Sequence, residues 1–327
     1  MNNNNFNFED KHGKCLCTGG EGETEIVTTE TREGSGLWVR CKGCDLVMNQ
    51  SGVPKEGVHD YYNLTYNSLN SFQGSIIQNA KDRYDIVIES TKPIAKQLLP
   101  YLKSDSRVMD IGASTGELLS ILKDQVEFCL GVELNESYCK YMRDELEIDA
   151  TSEDYFNIDA HEDFDLIVIR KTIDHMYNSL GVFDKINSDL KPGGHIYIQS
   201  PSDNQALKKF LPQASRKNFE SFMYQHAHYL SFNMNTLQRA LKQSGFSIVE
   251  STTYHDYSLQ NFLHWYYLVK PQKNMCYANK NNDFFPETDG FSLEMNQLFL
   301  DAEYQFYNLL QKYEAGELLT IVAKKID

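Results

Sequence analysis

Residues Val108–Glu117 read V-M-D-I-G-A-S-T-G-E. An apolar strand candidate, Arg107-Val108-Met109-Asp110-Ile111, runs into a turn carrying Gly112 and Gly116, and an amphipathic run, Glu117-Leu118-Leu119-Ser120-Ile121-Leu122, follows. Strand, glycine turn and helix in this order form the nucleotide-cradling unit of doubly wound α/β folds. Gly112 allows a tight turn without a Cβ clash, and Gly116 allows backbone to approach a ligand closely. The spacing is D-x-G-x-x-x-G. It is neither the G-x-G-x-x-G of dinucleotide sites nor the G-x-x-x-x-G-K-[ST] of phosphate loops, and no Lys follows Gly116. The stretch therefore points away from NAD and ATP.

Three later segments extend the pattern. Cys129-Leu130-Gly131-Val132-Glu133-Leu134 reads as a second strand ending in an acid, 23 positions after Asp110. An acid at that remove can accept both hydroxyls of a ribose. Phe164-Asp165-Leu166-Ile167-Val168-Ile169 reads as a fourth strand, and Leu190-Lys191-Pro192-Gly193-Gly194 as a turn before a fifth. Together the four segments resemble the motifs of class I S-adenosylmethionine (SAM) dependent methyltransferases. The resemblance implies an α/β fold with a doubly wound, seven-stranded, mostly parallel sheet. Its sixth strand would start at Phe246, and the seventh (Leu318–Ala323) would be antiparallel beside the fifth. It also implies SAM as cofactor. Asp110 would orient the turn or hold the amino acid end of SAM through water. The backbone of Gly112 and Ala113 would touch the cofactor beside Gly116, and Glu133 with Leu134 would take the ribose. Thr151 and Ser152 would lie at adenine, with Asp154 as a neighbouring alternative. Arg170 would face the site from the end of the fourth strand.

Four of the seven cysteines are clustered, as Cys15-x-Cys17 and Cys41-x-x-Cys44. Two short pairs around a β-rich stretch suit a tetrahedral Zn2+ site of the ribbon type. A segment so small buries little apolar surface, so metal would supply folding energy. Four protein ligands leave no open position, which argues for a structural role. The segment resembles the zinc-binding lead of sugar C-methyltransferases and polysaccharide-cluster methyltransferases, through Val39-Arg40-Cys41-Lys42-Gly43-Cys44-Asp45-Leu46-Val47 and Asp60-Tyr61-Tyr62 with Tyr66. It departs from them in its first pair, C-x-C where the family usually has C-x-x-C. His12 is a nearby substitute ligand.

The chain has 327 residues, 41% of them hydrophobic, and a net charge of −15. The acidity argues against a nucleic-acid partner, because phosphate contacts need basic patches. No apolar run reaches membrane-spanning length, and the N-terminus is polar and Asn-rich, so a cytoplasmic location without membrane contact is expected. Met1–Asp10 reads as a disordered lead. The expected organisation is a zinc-binding segment over 1–60, a helical lead-in over 61–104, a SAM-binding domain over 105–256, an insertion over 257–316, and a last strand over 317–327. Pro93 is expected to break or start a helix. The insertion is aromatic-rich. It would either roof the carboxyl ends of the strands or pack as a helix on the domain or on a second subunit.

Candidate acceptor-side residues come from two places. Asp174-His175 matches the E-H that often follows the fourth strand in this superfamily, with His175 as base, cofactor wall or plain helix-start residue. Tyr224-Gln225-His226-Ala227-His228 corresponds to a Tyr/Glu/His group that lies at the acceptor in related sugar C-methyltransferases. That makes Tyr224, His226 and His228 candidates, although Gln225 stands where Glu is frequent. His226 and His228 have no third ligand near them in sequence, which argues against a metal there. The leading reading is methyl transfer to a small polar acceptor, a nucleotide-linked sugar or glycan precursor, at carbon or oxygen. The competing reading is a non-catalytic SAM-binding or zinc-ribbon interaction module.

Overall fold

The computed structural model describes residues 15–17, 22–51, 79–255, 257–271, 285 and 289–326. Met1–Asp10, His12 and the Asp60–Tyr66 stretch lie outside these. Strands β1 (Thr24–Thr31), β2 (Gly34–Cys41) and β3 (Val47–Asn49) open the described chain, and helix α1 (Ala80–Leu98) follows. The alternating core is β4 (Arg107–Ile111), α2 (Glu117–Leu122), β5 (Phe128–Val132), α3 (Glu136–Glu145), β6 (Asp149–Thr151), β7 (Phe164–Arg170), α4 (Gly181–Asp189) and β8 (Leu190–Pro201). Then come α5 (Ala206–Phe210), α6 (Gln213–Met223), β9 (Leu230–Ser231), α7 (Met234–Gln243), β10 (Phe246–Tyr254), α8 (Leu259–Leu268), α9 (Gly290–Lys312) and β11 (Leu318–Lys325).

The large sheet has the order β10-β11-β8-β7-β4-β5-β6, and β11 runs antiparallel to both its neighbours. The pairs among β8, β7, β4, β5 and β6 are parallel. This is the expected seven-stranded arrangement. Central strands of such sheets are covered on both faces and so read as continuous apolar runs. Val108, Met109 and Ile111 of β4 and Leu166 to Ile169 of β7 are accordingly buried. Alternate residues serve opposite faces. Val108, Leu166 and Val168 pack with Leu98 of α1, Leu118, Leu119 and Leu122 of α2, and Met142 of α3. Met109, Ile111, Ile167 and Ile169 pack on the other face with Phe183 and Ile186 of α4 and Leu237 and Leu241 of α7. Each fully buried aliphatic side chain contributes about 1.5–3 kcal/mol. Sheet order reverses between β4 and β7, which puts a ligand crevice at their carboxyl ends.

Three local expectations change. Helix α1 runs through Pro93 instead of breaking. Pro93 and Glu89, whose carbonyl loses its partner, are both exposed, so water can take the place of the missing N–H. The Leu190–Gly194 segment is the start of β8 itself, with Gly193 at φ 73° beside a register shift. The third strand, which the sequence places over Glu147–Ala150 ahead of Thr151, is β6 and includes Thr151.

The cysteine-bearing strands form a second sheet, β1-β2-β3-β9, whose last strand follows β8 of the large sheet in sequence. Met48 pairs with Leu230 and Val47 with Ser231. The segment is tied down elsewhere too. The Leu16 carbonyl accepts from Arg239 at 2.6 Å, and Asp45 accepts from Asn233, the N-cap of α7, at 2.6 Å. Trp38, Leu46 and Val47 are fully buried, so packing against the main domain adds to whatever a metal supplies. The strongest tie is buried Asp203, which accepts from Arg40 (2.7 Å), Lys208 (2.7 Å) and the Tyr224 hydroxyl (2.7 Å). Burial alone would raise its pKa. Lys208 and Arg40 overcome that and hold the carboxyl below its ordinary range. Removing one partner of a buried ion pair strands the others, so Asp203→Ala should cost about 3–5 kcal/mol in urea unfolding at neutral pH. A depressed carboxyl pKa stabilises above the unfolded value of ~3.9, and that contribution fades as pH falls through the folded value. The gap between wild type and variant should close in acid.

Within the insertion, α8 packs on α6 through Trp265, whose ring lies 5.2 Å from Phe219 and 5.4 Å from Phe222. Among the described residues, no helix is long and apolar enough to cross a membrane.

Candidate functional site

The glycine turn leaves β4 at the switch point. Gly112 adopts φ 77°, and a Cβ there would lie 2.6 Å from Thr172 Cγ2, on the segment after β7. Gly116 adopts φ 81° and caps α2, and a Cβ there would meet Met142 Cγ at 2.6 Å. The left-handed backbone and helix packing each require glycine at 116, besides the approach to a ligand that the sequence suggests. The amides of Gly112 and Ala113 both donate to the Val132 carbonyl, at 2.7 and 3.2 Å. Backbone contact between Gly112 and a ligand would thus use its carbonyl oxygen, an acceptor suited to an ammonium group.

Glu133 stands immediately after β5 at the mouth of this turn. Its Oε2 accepts from the Ser114 amide at 3.0 Å and its Oε1 from the Asn135 amide at 3.0 Å. Each carboxylate oxygen keeps a lone pair for a further donor. Burial raises its pKa, against the pull of those two amides. Leu134 follows, half-buried. Thr151 accepts the Glu153 amide at 3.2 Å, Ser152 engages Glu136, and Asp154 caps the turn at Tyr155–Asn157 by accepting the Phe156 amide at 2.9 Å.

Asp110 is buried, and its Oδ1 has no hydrogen-bond partner among the described residues. Burial, with Glu117 and Glu133 near, pushes its pKa up to about 7, against the opposing pull of Arg170. Arg170 ends β7, and its Nε is likewise buried without an acceptor. Two further residues escaped the sequence reading. Glu117 is buried and accepts from Thr115 at 2.7 Å, and Arg83 of α1 donates to the Ser114 hydroxyl at 2.8 Å. Nothing in the local sequence marks Arg83, because a helix far upstream brings it there. Three carboxyls around a glycine turn, one with an orphaned oxygen, fit a cationic ligand carrying a ribose. SAM answers that description.

The acceptor-side candidates separate into three places. His175 and His228 come together, their rings 4.4 Å apart edge to face, with Asp174 between them. His228 Nε2 lies 3.3 Å from Asp174 Oδ2, and His175 Nε2 lies 3.8 Å from the same oxygen. Burial drives the His228 pKa down to about 3, so this imidazole is neutral at physiological pH. His226 turns away: its amide donates to Glu33 at 3.0 Å and its Nδ1 lies 3.3 Å from the Ser51 carbonyl. Tyr224 is buried in the Asp203 network and stacks on Trp38 at 4.6 Å. Asp174 was read in sequence only as the neighbour of His175.

Cys15, Cys17, Cys41 and Cys44 place their sulfurs within 4.8 Å of one another, and Cys41 lies 3.6 Å from both Cys15 and Cys17. Zinc–sulfur bonds of ~2.3 Å give tetrahedral edges of about 3.8 Å, so the set fits Zn2+. Burial raises the Cys41 thiol, but the amides of Cys44 and Gly43 outweigh it and bring the pKa down to about 7.

Known proteins bear on this architecture. A search of curated proteins gave no match. Among solved structures, a SAM-dependent methyltransferase from Archaeoglobus fulgidus is similar at 20% identity and TM-score 0.47, over 73% of this chain and 94% of that one. An S-adenosylmethionine-dependent methyltransferase from Mesorhizobium loti is similar at 16% identity and TM-score 0.44, over 71% and 96%. Both likenesses concern fold alone. The methyltransferase domain family matches residues 80–251, just over half of the chain. With the glycine turn, the Glu133 cradle and the sheet order in place, the chain belongs to this methyltransferase domain family and is a SAM-dependent methyltransferase.

Proposed function

We propose that the methyl acceptor is a small polar molecule, a nucleotide-linked sugar or glycan precursor, bound over the carboxyl ends of β4 and β7 against residues 224–231. One observation carries this reading. The cysteine-bearing sheet that resembles the lead segment of sugar C-methyltransferases is completed by β9, directly after the histidine loop. Asn49 of β3 reaches further and donates to the His228 carbonyl at 2.8 Å. The segment thus braces the loop that would meet the acceptor.

When bound, SAM supplies a methyl group already activated on a sulfonium sulfur. The chain's own residues hold and orient. Glu133 takes the ribose hydroxyls, Asp110 and the Gly112 carbonyl face the amino acid end, and Thr151 and Ser152 border adenine. Most of the rate acceleration then comes from alignment. His228, beside Asp174 with His175 against it, borders the place where the acceptor would sit. Tyr224, its hydroxyl held by Asp203 and Lys208, positions the loop. Zn2+ on Cys15, Cys17, Cys41 and Cys44 is structural, and a reducing compartment such as the cytoplasm suits its thiolate ligands. Carbon methylation would require an acidic C–H, such as one beside a keto group, whereas oxygen methylation requires only a hydroxyl.

The test is turnover of SAM with a panel of nucleotide sugars, with and without a keto group, read by mass spectrometry. A singly methylated sugar nucleotide is the expected product. Turnover confined to proteins, nucleic acids or hydrophobic amines would overturn the reading.

Asp110 gives a pH signature. With a folded pKa of about 7, it stabilises the empty protein below the unfolded carboxyl pKa and loses that contribution as pH rises through 7. A cationic ligand prefers the ionised form, so SAM affinity should climb between pH 5 and 7, by up to ~tenfold per unit, and level off above. Calorimetry across pH measures this. Asp110→Asn should flatten the profile, and an unchanged slope would remove Asp110 from the role.

A further inference from the structure

The Asp174 carboxyl is 2% exposed, and neither of its oxygens accepts a hydrogen bond among the described residues. A buried, uncompensated carboxylate is costly, and such groups are ordinarily paired or bound to metal. Its Oδ2 is aimed at two imidazole nitrogens, His228 Nε2 at 3.3 Å and His175 Nε2 at 3.8 Å. These three ligand atoms lie within 4.8 Å of one another. Ligand atoms on a common ion at ~2.1 Å stand about 3.0–3.4 Å apart. The first separation already fits, and the second needs closure by a few tenths of an ångström. Two imidazoles and one carboxylate form a donor set for a divalent first-row metal that leaves further positions open.

From this geometry we infer that Asp174, His175 and His228 form a second metal site, distinct from the four cysteines, that takes a divalent transition ion such as Mn2+, Fe2+, Co2+ or Zn2+. The sequence argued against metal at the His226/His228 pair because no third ligand lies near it. The fold supplies two, from the turn after β7, and sends His226 elsewhere. The site sits two residues beyond Thr172, which packs on Gly112, so it borders the glycine turn at the switch point. Open positions there favour an acceptor with two adjacent oxygens, such as a vicinal diol or hydroxy-ketone, held by chelation and polarised by the ion. This last step rests on the acceptor reading above; the metal site does not.

The experiment titrates the full-length protein, its cysteine-bound metal left in place, with Mn2+ and separately with Co2+. Calorimetry and the visible spectrum are read without any acceptor. One further ion per chain should bind, and bound Co2+ should show no thiolate charge-transfer band. His228→Ala and Asp174→Asn should each weaken that binding at least ~100-fold, since each removes a direct ligand. SAM affinity, measured on the same samples, should hold near wild type and so report intact folding. Asp174→Asn keeps the shape of the side chain and guards against a collapsed His228 variant. No binding beyond the cysteine site, or equal binding in folded Asp174→Asn, would overturn the metal site. Loss of activity in Asp174→Asn without any metal binding would leave Asp174 as a positioning group for His228 and would equally overturn it. A failed sugar panel with intact metal binding would count only against the acceptor reading.

Discussion

Glu133→Ala should weaken SAM binding more than ~100-fold, because two hydrogen bonds to a charged acceptor contribute about 1.5–3 kcal/mol each. The carboxylate is anchored by the Ser114 and Asn135 amides, so it meets the ribose without reorganising. Truncation also leaves those two amides without their acceptor. Glu133→Gln separates the contributions: it keeps one acceptor oxygen and should fall between the two. Titration calorimetry with SAM gives the affinities, and thermal unfolding shows whether the fold survives. β5 ends at Val132, so the strand itself should stay paired. An alanine variant that binds SAM as wild type would remove Glu133 from the ribose role.

Cys41→Ser should empty the zinc site, taking elemental analysis from about one zinc per chain to none. A structural zinc site in a small peptide contributes on the order of 10 kcal/mol to folding. Here the cost should fall mainly on the small sheet, since the central strands β4 and β7 keep their own helix-covered cores on both faces. Loss of the metal should therefore raise hydrogen exchange in β2, β3 and residues 224–231 while β4, β5 and β7 stay protected. SAM affinity should persist. Methyl transfer should fall sharply, because β3 no longer braces β9 and the His228 carbonyl loses Asn49. A metal-free protein with β2 and β3 fully protected would end the zinc assignment.

What could be read in advance follows from the range of each interaction. D-x-G-x-x-x-G, the acid at Glu133 and the F-D-L-I strand are local signals, since a turn, a strand end and a buried strand are each specified within a few residues. Gly245, just past the end of α7 at φ 81°, is equally local, whereas the sequence places the helix start at Asn235 and the structure caps it at Asn233. The paired cysteines were legible as one cluster because their spacing brings four sulfurs together. Pro93 shows the limit of such rules: its penalty depends on whether the abandoned carbonyl faces water, and that is set by how α1 lies on the sheet. Asp174 shows it again. Its neighbour His175 was noticed, but its partner His228 lies beyond one strand and three helices. The Asp203 network, joining Arg40, Lys208 and Tyr224, has no sequence signature at all.

By itself, then, the sequence determined the strand-turn-helix around Gly112, the acid that follows β5 and the clustered set of thiols, because each is written in adjacent or regularly spaced residues. Only the tertiary structure decided which histidine meets Asp174, that β9 completes the cysteine sheet, and that Arg83 and Glu117 enclose the glycine turn. Those contacts arise where distant segments converge at the point of reversal between β4 and β7. Convergence there depends on sheet order and helix packing summed over the whole chain.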